Sequence, residues 1–194
     1  VINYSNGVTY SGGLLDFKYE GKGLYTGAGG GYYLGDFVED RYCGKGELLY
    51  ENGSKYTGDF RNDMKHGWGV YEYSNGDVYE GEFVDDKSNG FGIMNFVAGD
   101  KYIGSFIDGL YGGPATVQYT NGDKWVGSFT SDKPDSVWTI YYKSGDKYIG
   151  DVEDWELHGI GAMYYSFGVV YEGGFEHGIM NGGATVTFLN GDVY

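Results

Sequence analysis

Aromatic, glycine and polar positions alternate along the whole chain. In Tyr79-Glu80-Gly81-Glu82-Phe83 every second residue is aromatic or glycine, with acids between. Gly67-Trp68-Gly69-Val70-Tyr71-Glu72-Tyr73 repeats the alternation over a longer stretch. A period of two places all odd positions on one side of a strand. Each stretch therefore predicts a β-strand with one aromatic and glycine face. The pair of stretches recurs every 23 residues, as the aromatic series Tyr10, Tyr33, Tyr56, Tyr79, Tyr102, Trp125, Tyr148, Tyr171 and Tyr194 shows. No insertion or deletion interrupts it. Two residues after each full-repeat aromatic stands a glycine, and four after stands Phe37, Phe60, Phe83, Phe106, Phe129 or Phe175, with Leu14 and Val152 as exceptions. The repeats span 10–32, 33–55, 56–78, 79–101, 102–124, 125–147, 148–170 and 171–193. Residues 1–9 read as the end of another repeat and Tyr194 as the start of a further one. A single array over residues 1–194 is expected, with no room for a second domain.

Asn-Gly pairs such as Asn52-Gly53, Asn75-Gly76 and Asn121-Gly122 close each repeat. This is the strongest short-range hairpin signal, because both residues tolerate positive φ. The other link is an acidic stretch such as Val84-Asp85-Asp86-Lys87-Ser88-Asn89. Two short links per repeat predict consecutive antiparallel strands in one meander. A strand glycine weakens a sheet unless something approaches it closely, so large rings are expected to lie across the glycines of the same face. The expected fold is all-β: an elongated, single-layer, twisted antiparallel sheet of 23-residue β-hairpin repeats. Two strands at about 4.8 Å each give a rise of roughly 10 Å per repeat.

Composition sharpens this picture. Glycine supplies 38 of 194 residues and proline 2; glycine at that density excludes long helices. Aromatic residues at 19% argue against disorder. The net charge of −15 excludes a general nucleic-acid binder and disfavours direct docking on an anionic membrane. Cys43 is the only cysteine, so no intrachain disulfide framework exists and a reducing compartment is expected. There is no apolar run long enough for a transmembrane helix. The first residue, Val1, is not followed by a signal-like segment, and the chain reads as an excised or processed piece.

Candidate chemistry is sparse. His66 and His158 share one slot of the repeat with Cys43, and His177 lies in an acidic loop. Neighbouring slots would stand roughly 10 Å apart, too far to share a zinc ion. The carboxylate pairs Glu39/Asp40, Asp85/Asp86 and Glu153/Asp154 fall in links between strands, where nothing separates their pKa values. Gly21-Lys22-Gly23 and Gly44-Lys45-Gly46 lack the context of a phosphate-binding loop. No catalytic residue, metal site or cofactor is expected, and the chain reads as non-enzymatic.

The repeat Tyr-x-Gly-x-Phe, six residues, Gly-x-Gly, then Asn-Gly-Asp closely resembles the MORN (membrane occupation and recognition nexus) family. Asp77-Val78-Tyr79-Glu80-Gly81-Glu82-Phe83 and His66-Gly67-Trp68-Gly69 carry the likeness, which runs the length of the chain. The resemblance implies an interaction scaffold for cytoskeletal, ciliary or membrane-junction assemblies, often self-associating, some with a partner helix in the groove. It also implies two alternatives: a phospholipid-binding adaptor at a membrane, or a regulatory segment of a larger enzyme.

Two features are candidates for contact. The groove aromatics Tyr56, Tyr79, Tyr102, Trp125, Trp138 and Tyr148 are expected to receive a partner, such as a basic or amphipathic helix. Trp138 lies in the one irregular repeat, where Ser136 and Trp138 replace paired glycines and Pro134 enters the link. Trp138 either fills space left by a drifted repeat or anchors a partner. On the opposite face Ile103, Val126 and Ile149 recur in three consecutive repeats, joined by Tyr141 and Tyr164. This stripe is either a self-association or docking surface or ordinary β-branched strand preference. The expected partners are other proteins, including a second copy of the chain. The expected location is cytoplasmic, beside the cytoskeleton or the cytosolic side of a membrane.

Overall fold

A computed structural model describes residues 1–194, which contain no helix. Eighteen strands form one open antiparallel sheet in hairpin order. Two compact units divide them, Val1–Val97 and Ala98–Tyr194. The first holds β1 (Ile2–Asn3), β2 (Thr9–Leu15), β3 (Lys18–Thr26), β4 (Tyr32–Val38), β5 (Arg41–Leu49), β6 (Lys55–Arg61), β7 (Met64–Glu72), β8 (Val78–Val84) and β9 (Lys87–Asn95). The second holds β10 (Lys101–Ile107), β11 (Leu110–Gln118), β12 (Lys124–Thr130), β13 (Lys133–Pro134), β14 (Val137–Tyr141), β15 (Lys147–Glu153), β16 (Glu156–Tyr164), β17 (Val170–Glu176) and β18 (Ile179–Thr187).

The core of the first unit is built on a row of glycines. Gly12, Gly23, Gly35, Gly46, Gly58, Gly69, Gly81 and Gly92 are successive cross-strand partners from β2 to β9. One tyrosine per hairpin lies over two of them. A Cβ on Gly58 would meet the Tyr56 hydroxyl, and at 2.6 Å the Cα of Gly69. Each ring is fixed by its hydroxyl, which donates to the carbonyl three residues on. Tyr33 reaches Asp36 at 3.0 Å, Tyr56 reaches Asp59 at 2.9 Å and Tyr79 reaches Glu82 at 2.9 Å. Between the tyrosines stand Phe37, Phe60 and Phe83 in edge-to-face contact at 5.0–5.3 Å, a geometry favoured by the ring quadrupole. Rings on bare backbone thus replace a second layer.

The links reverse one expectation. The Asn-Gly link is a three-residue loop, in which Gly76 has φ +94° and Asn75 stays out of the left-handed region. Gly76 N–H donates to Tyr73 O, and Tyr73 N–H to Asp77 O, the type I turn with a left-handed glycine. Asn75 contributes its side chain instead, accepting Asp77 N–H at 3.1 Å. The tight two-residue turns lie at the acidic end. Asp85 and Asp86 both have positive φ, as do Glu39/Asp40, Asn62/Asp63 and Ser131/Asp132. Asp and Asn tolerate this region better than other side chains, which explains the acidic pairs as turn residues.

Each standard hairpin also contains a bulge that periodicity did not reveal. The register shifts between Gly58 and Phe60. The loosened strand is secured by Asp59, whose carboxylate accepts Trp68 N–H at 3.2 Å. Asp151 does the same for Ile160 N–H at 2.9 Å.

In the second unit Tyr102, Phe106 and Phe129 continue the pattern. The irregular repeat exchanges the partners of the nest. Trp138, paired with Gly150, occupies a glycine position, and its indole lies over Gly127 of the neighbouring strand. Its Nε1–H donates to Asp135 O at 2.7 Å, the bond that a tyrosine hydroxyl makes elsewhere.

Candidate protein-interaction surface

The aromatic face is sealed. Tyr56, Tyr79, Tyr102, Trp138 and Tyr148 are each no more than 2% exposed. Trp125 is half-buried and faces Trp138 at 6.2 Å and Trp155 at 5.8 Å. The expectation that these six side chains receive a partner helix is therefore corrected for the five buried ones. Nesting on glycine and edge contact with phenylalanine use up their surface, so no partner atom reaches them without displacing the core.

A further set of residues covers these rings and was missed in the sequence. Tyr19 stacks on Tyr10 and Tyr42 on Tyr33, both at 3.7 Å between centroids, and Tyr111 lies 4.2 Å from Tyr102. The position equivalent to Tyr42 in the following repeat is Lys65. Its ammonium is buried among Tyr50, Tyr56 and Tyr71 at 5.5–6.0 Å from their centroids. Asp86 Oδ1 lies 3.0 Å from Nζ, and Tyr50 Oη 3.2 Å. Burial alone would lower the Lys65 pKa. The hydrogen bonds to Asp86 and Tyr50 and the charge of Tyr50 outweigh it, so the net shift is upward.

The opposite face carries no second layer. In the second unit it brings the stripe residues together across strands. Ile103 pairs with Thr116, Thr116 with Val126, Val126 with Thr139, Thr139 with Ile149 and Ile149 with Ala162. Val126 and Ile149 are each 36% exposed, and Ile103 is half-buried. Tyr141 and Tyr164 lie in the adjoining row, next to Lys124 and Lys147. In the first unit charge interrupts the corresponding row, which runs Ser11, Leu24, Leu34, Glu47, Thr57, Val70, Glu80 and Ile93.

Two of the three histidines stand beside acids. His158 Nε2 is 3.2 Å from Glu153, and His177 Nδ1 is 3.2 Å from Glu156. No group of three or more His, Cys, Asp or Glu side chains is disposed to hold a metal ion. Lys22 and Lys45 are strand residues paired with Asp36 and Asp59 at 2.8 and 2.7 Å. No helix is long and apolar enough to cross a membrane.

Residues 33–55, 56–78, 79–101, 102–124 and 171–193 each match the MORN repeat. Together they make up more than half of the chain. The chain belongs to the MORN repeat family. In this MORN chain the irregular repeat at 125–147 lies between the matched segments, where the tryptophan nest replaces the tyrosine nest. Comparison with curated protein sequences returned no match. Among solved structures it is similar to the TCP domain of SAS-4 (dCPAP) of Drosophila melanogaster in complex with a proline-rich motif of Ana2 (dSTIL). The two share 14% identity over 95% of this chain and 92% of that one, with a TM-score of 0.52. The TCP10 domain of Danio rerio CPAP aligns at 11% identity over 100% and 96%, with a TM-score of 0.43. At 14% identity the likeness to the SAS-4 domain is one of fold.

Proposed function

We propose that this MORN array is a non-enzymatic protein-interaction scaffold that works in the cytoplasm, in cytoskeletal assemblies. It offers the uncovered face of its second unit to other proteins, including a second copy of itself. The observation that carries this reading is the unbroken row from Ile103 to Ala162, apolar or uncharged at every strand of an otherwise acidic protein. Exposed apolar rows of this kind mark interaction surfaces. The complex of the similarly folded SAS-4 domain with a proline-rich motif supports an open sheet as a platform for a peptide.

The double variant Ile103→Lys/Ile149→Lys tests it. Light scattering is expected to show a dimer for the parent chain and a monomer for the variant. Affinity capture from cell extract is expected to lose specific partners. An unchanged mass removes self-association, and an unchanged capture profile removes docking on this face. Co-sedimentation with anionic vesicles that survives physiological salt would favour a membrane adaptor instead, against the repulsion expected from the net charge.

A further inference from the structure

Beside the apolar row of the second unit runs a row of different chemistry. Lys124, Tyr141, Lys147 and Tyr164 are consecutive cross-strand partners on β12, β14, β15 and β16. The Lys124 ammonium stands 4.8 Å from the Tyr141 ring centroid, and that of Lys147 stands 4.4 Å from the Tyr164 centroid. The same cation-on-ring pair therefore occurs twice, one hairpin apart. In the first unit the equivalent lysine is neutralised, with Lys55 Nζ 3.0 Å from Glu72. In the second unit Tyr141 and Tyr164 stand where Glu72 stands.

The carboxylates nearest along the chain are occupied. Asp123 accepts Lys143 N–H at 2.9 Å and the Asn121 amide at 2.8 Å. Asp146 accepts Ser166 N–H at 2.7 Å and the Ser144 hydroxyl at 2.8 Å. A chain of net charge −15 thus holds two ammonium groups on tyrosine faces, beside the apolar Val126 and Ile149. The complementary ligand is a segment bearing carboxylates next to apolar groups.

The spacing selects the conformation that matches it best. Successive pairs are two strands apart, about 9.6 Å. A polyproline II helix has three residues per turn at 3.1 Å each, so the same face returns every ~9.3 Å. An α-helix returns a face after seven residues, ~10.5 Å, about 0.9 Å beyond the one interval between the two pairs. An extended strand repeats after about 6.6 Å and falls out of step. Aromatic rows are also the usual receptors of proline-rich segments, because the ligand is already ordered before it binds.

We infer that this row binds a polyproline II segment with Asp or Glu at every third residue, lying across the strands of β12 to β16. Its carboxylates meet Lys124 and Lys147, and its proline rings pack on Tyr141, Tyr164 and the Val126/Ile149 row. This rests on the reading of the face as a protein-binding surface and specifies the ligand.

The test uses the whole chain and fluorescein-labelled peptides in anisotropy titrations at low salt. The probes are repeats of Pro-Pro-Glu, Pro-Pro-Lys and Pro-Pro-Pro-Glu, and an amphipathic helix with Glu at each heptad. Pro-Pro-Glu is expected to bind about tenfold tighter than the others, and Lys124→Glu/Lys147→Glu to remove that preference. The same variant should gain affinity for Pro-Pro-Lys, which a misfolded protein would not. Circular dichroism controls its fold. Equal binding of the four-residue repeat or the helix overturns the inference, as does indifference to charge reversal. So does binding to phosphatidylserine vesicles that the charge reversal abolishes. If no probe binds, yet extract proteins are still captured and lost in Ile103→Lys/Ile149→Lys, the ligand assignment fails and the scaffold reading stands.

Discussion

At the scale of single residues, two kinds of glycine do different work. Gly58 lies under a ring, where a methyl group would meet the Tyr56 hydroxyl and the Gly69 backbone. Neither can withdraw without breaking the nest. Gly53 lies in a loop at φ +85° with open space around it. Gly58→Ala is expected to lose about 3 kcal/mol by overpacking, and Gly53→Ala only about 1 kcal/mol by conformational strain. Urea midpoints would rank them, and an equal loss would refute the nest. Both kinds were legible in the sequence, because each demand is steric and admits one residue type.

The core tyrosines carry a second residue-scale consequence. Burial raises the pKa of Tyr33, Tyr56, Tyr102 and Tyr148 well above the ordinary tyrosine value, and pushes Tyr42 and Tyr142 up to about 12. The folded chain then holds protons that the unfolded chain releases near pH 10. Their contribution is complete below that pH and is lost as pH rises toward the folded values. Urea midpoints should be flat in this respect up to about pH 9 and fall steeply by about pH 11.5. Tyrosinate absorbance should appear together with loss of the strand signal. Tyrosinate formation in a chain that keeps its fold would contradict the burial.

At the scale of the hairpin, much was hidden from periodicity. The slot of Tyr19, Tyr42, Lys65 and Tyr111 asks only for a side chain that can lie against the core tyrosine. Leu157, buried at the same position, meets that demand too, so no single residue type fills the slot throughout. The bulge is equally silent, because Asp59 and Asp151 look like ordinary outward acids until their bonds to Trp68 N–H and Ile160 N–H are seen. Asn-Gly misled for a related reason: only the glycine takes positive φ, while the asparagine adds a side-chain bond to Asp77 N–H. The slot makes a sharp prediction. Lys65→Tyr would restore the stack seen between Tyr42 and Tyr33. Its hydroxyl could meet Tyr50 as that of Tyr19 meets Tyr4 at 2.6 Å. Asp86 would keep the backbone N–H at position 65, now 2.9 Å away. Lys65 is buried and Asp86 half exposed, so the ring removes a desolvated ammonium without stranding a buried carboxylate, and a gain of about 1 kcal/mol is expected. Lys65→Ala should lose stability instead. A loss in both variants would show that the ammonium itself is required.

At the scale of the whole molecule, composition decides how salt acts. The chain has 28 acidic and 13 basic residues. Its ion pairs are mostly exposed, as at Lys45–Asp59 and Arg61–Asp85, and exposed pairs contribute little. The repulsion among unbalanced acids therefore outweighs them, and it opposes the compact state. Added sodium chloride screens that repulsion over about 10 Å at 0.1 M. Urea midpoints are thus expected to rise with salt, and a fall would mean that the surface pairs outweigh the net charge. The ligand row responds with the other sign. Contacts of Lys124 and Lys147 with a carboxylate peptide are attractive and exposed, so the same salt should weaken them. Measured on one sample, stability should climb while affinity for the Pro-Pro-Glu peptide declines. Opposite slopes separate a charged contact made by two lysines from any change in the fold that carries them. Parallel slopes would mean that salt acts on the peptide only through the folded fraction.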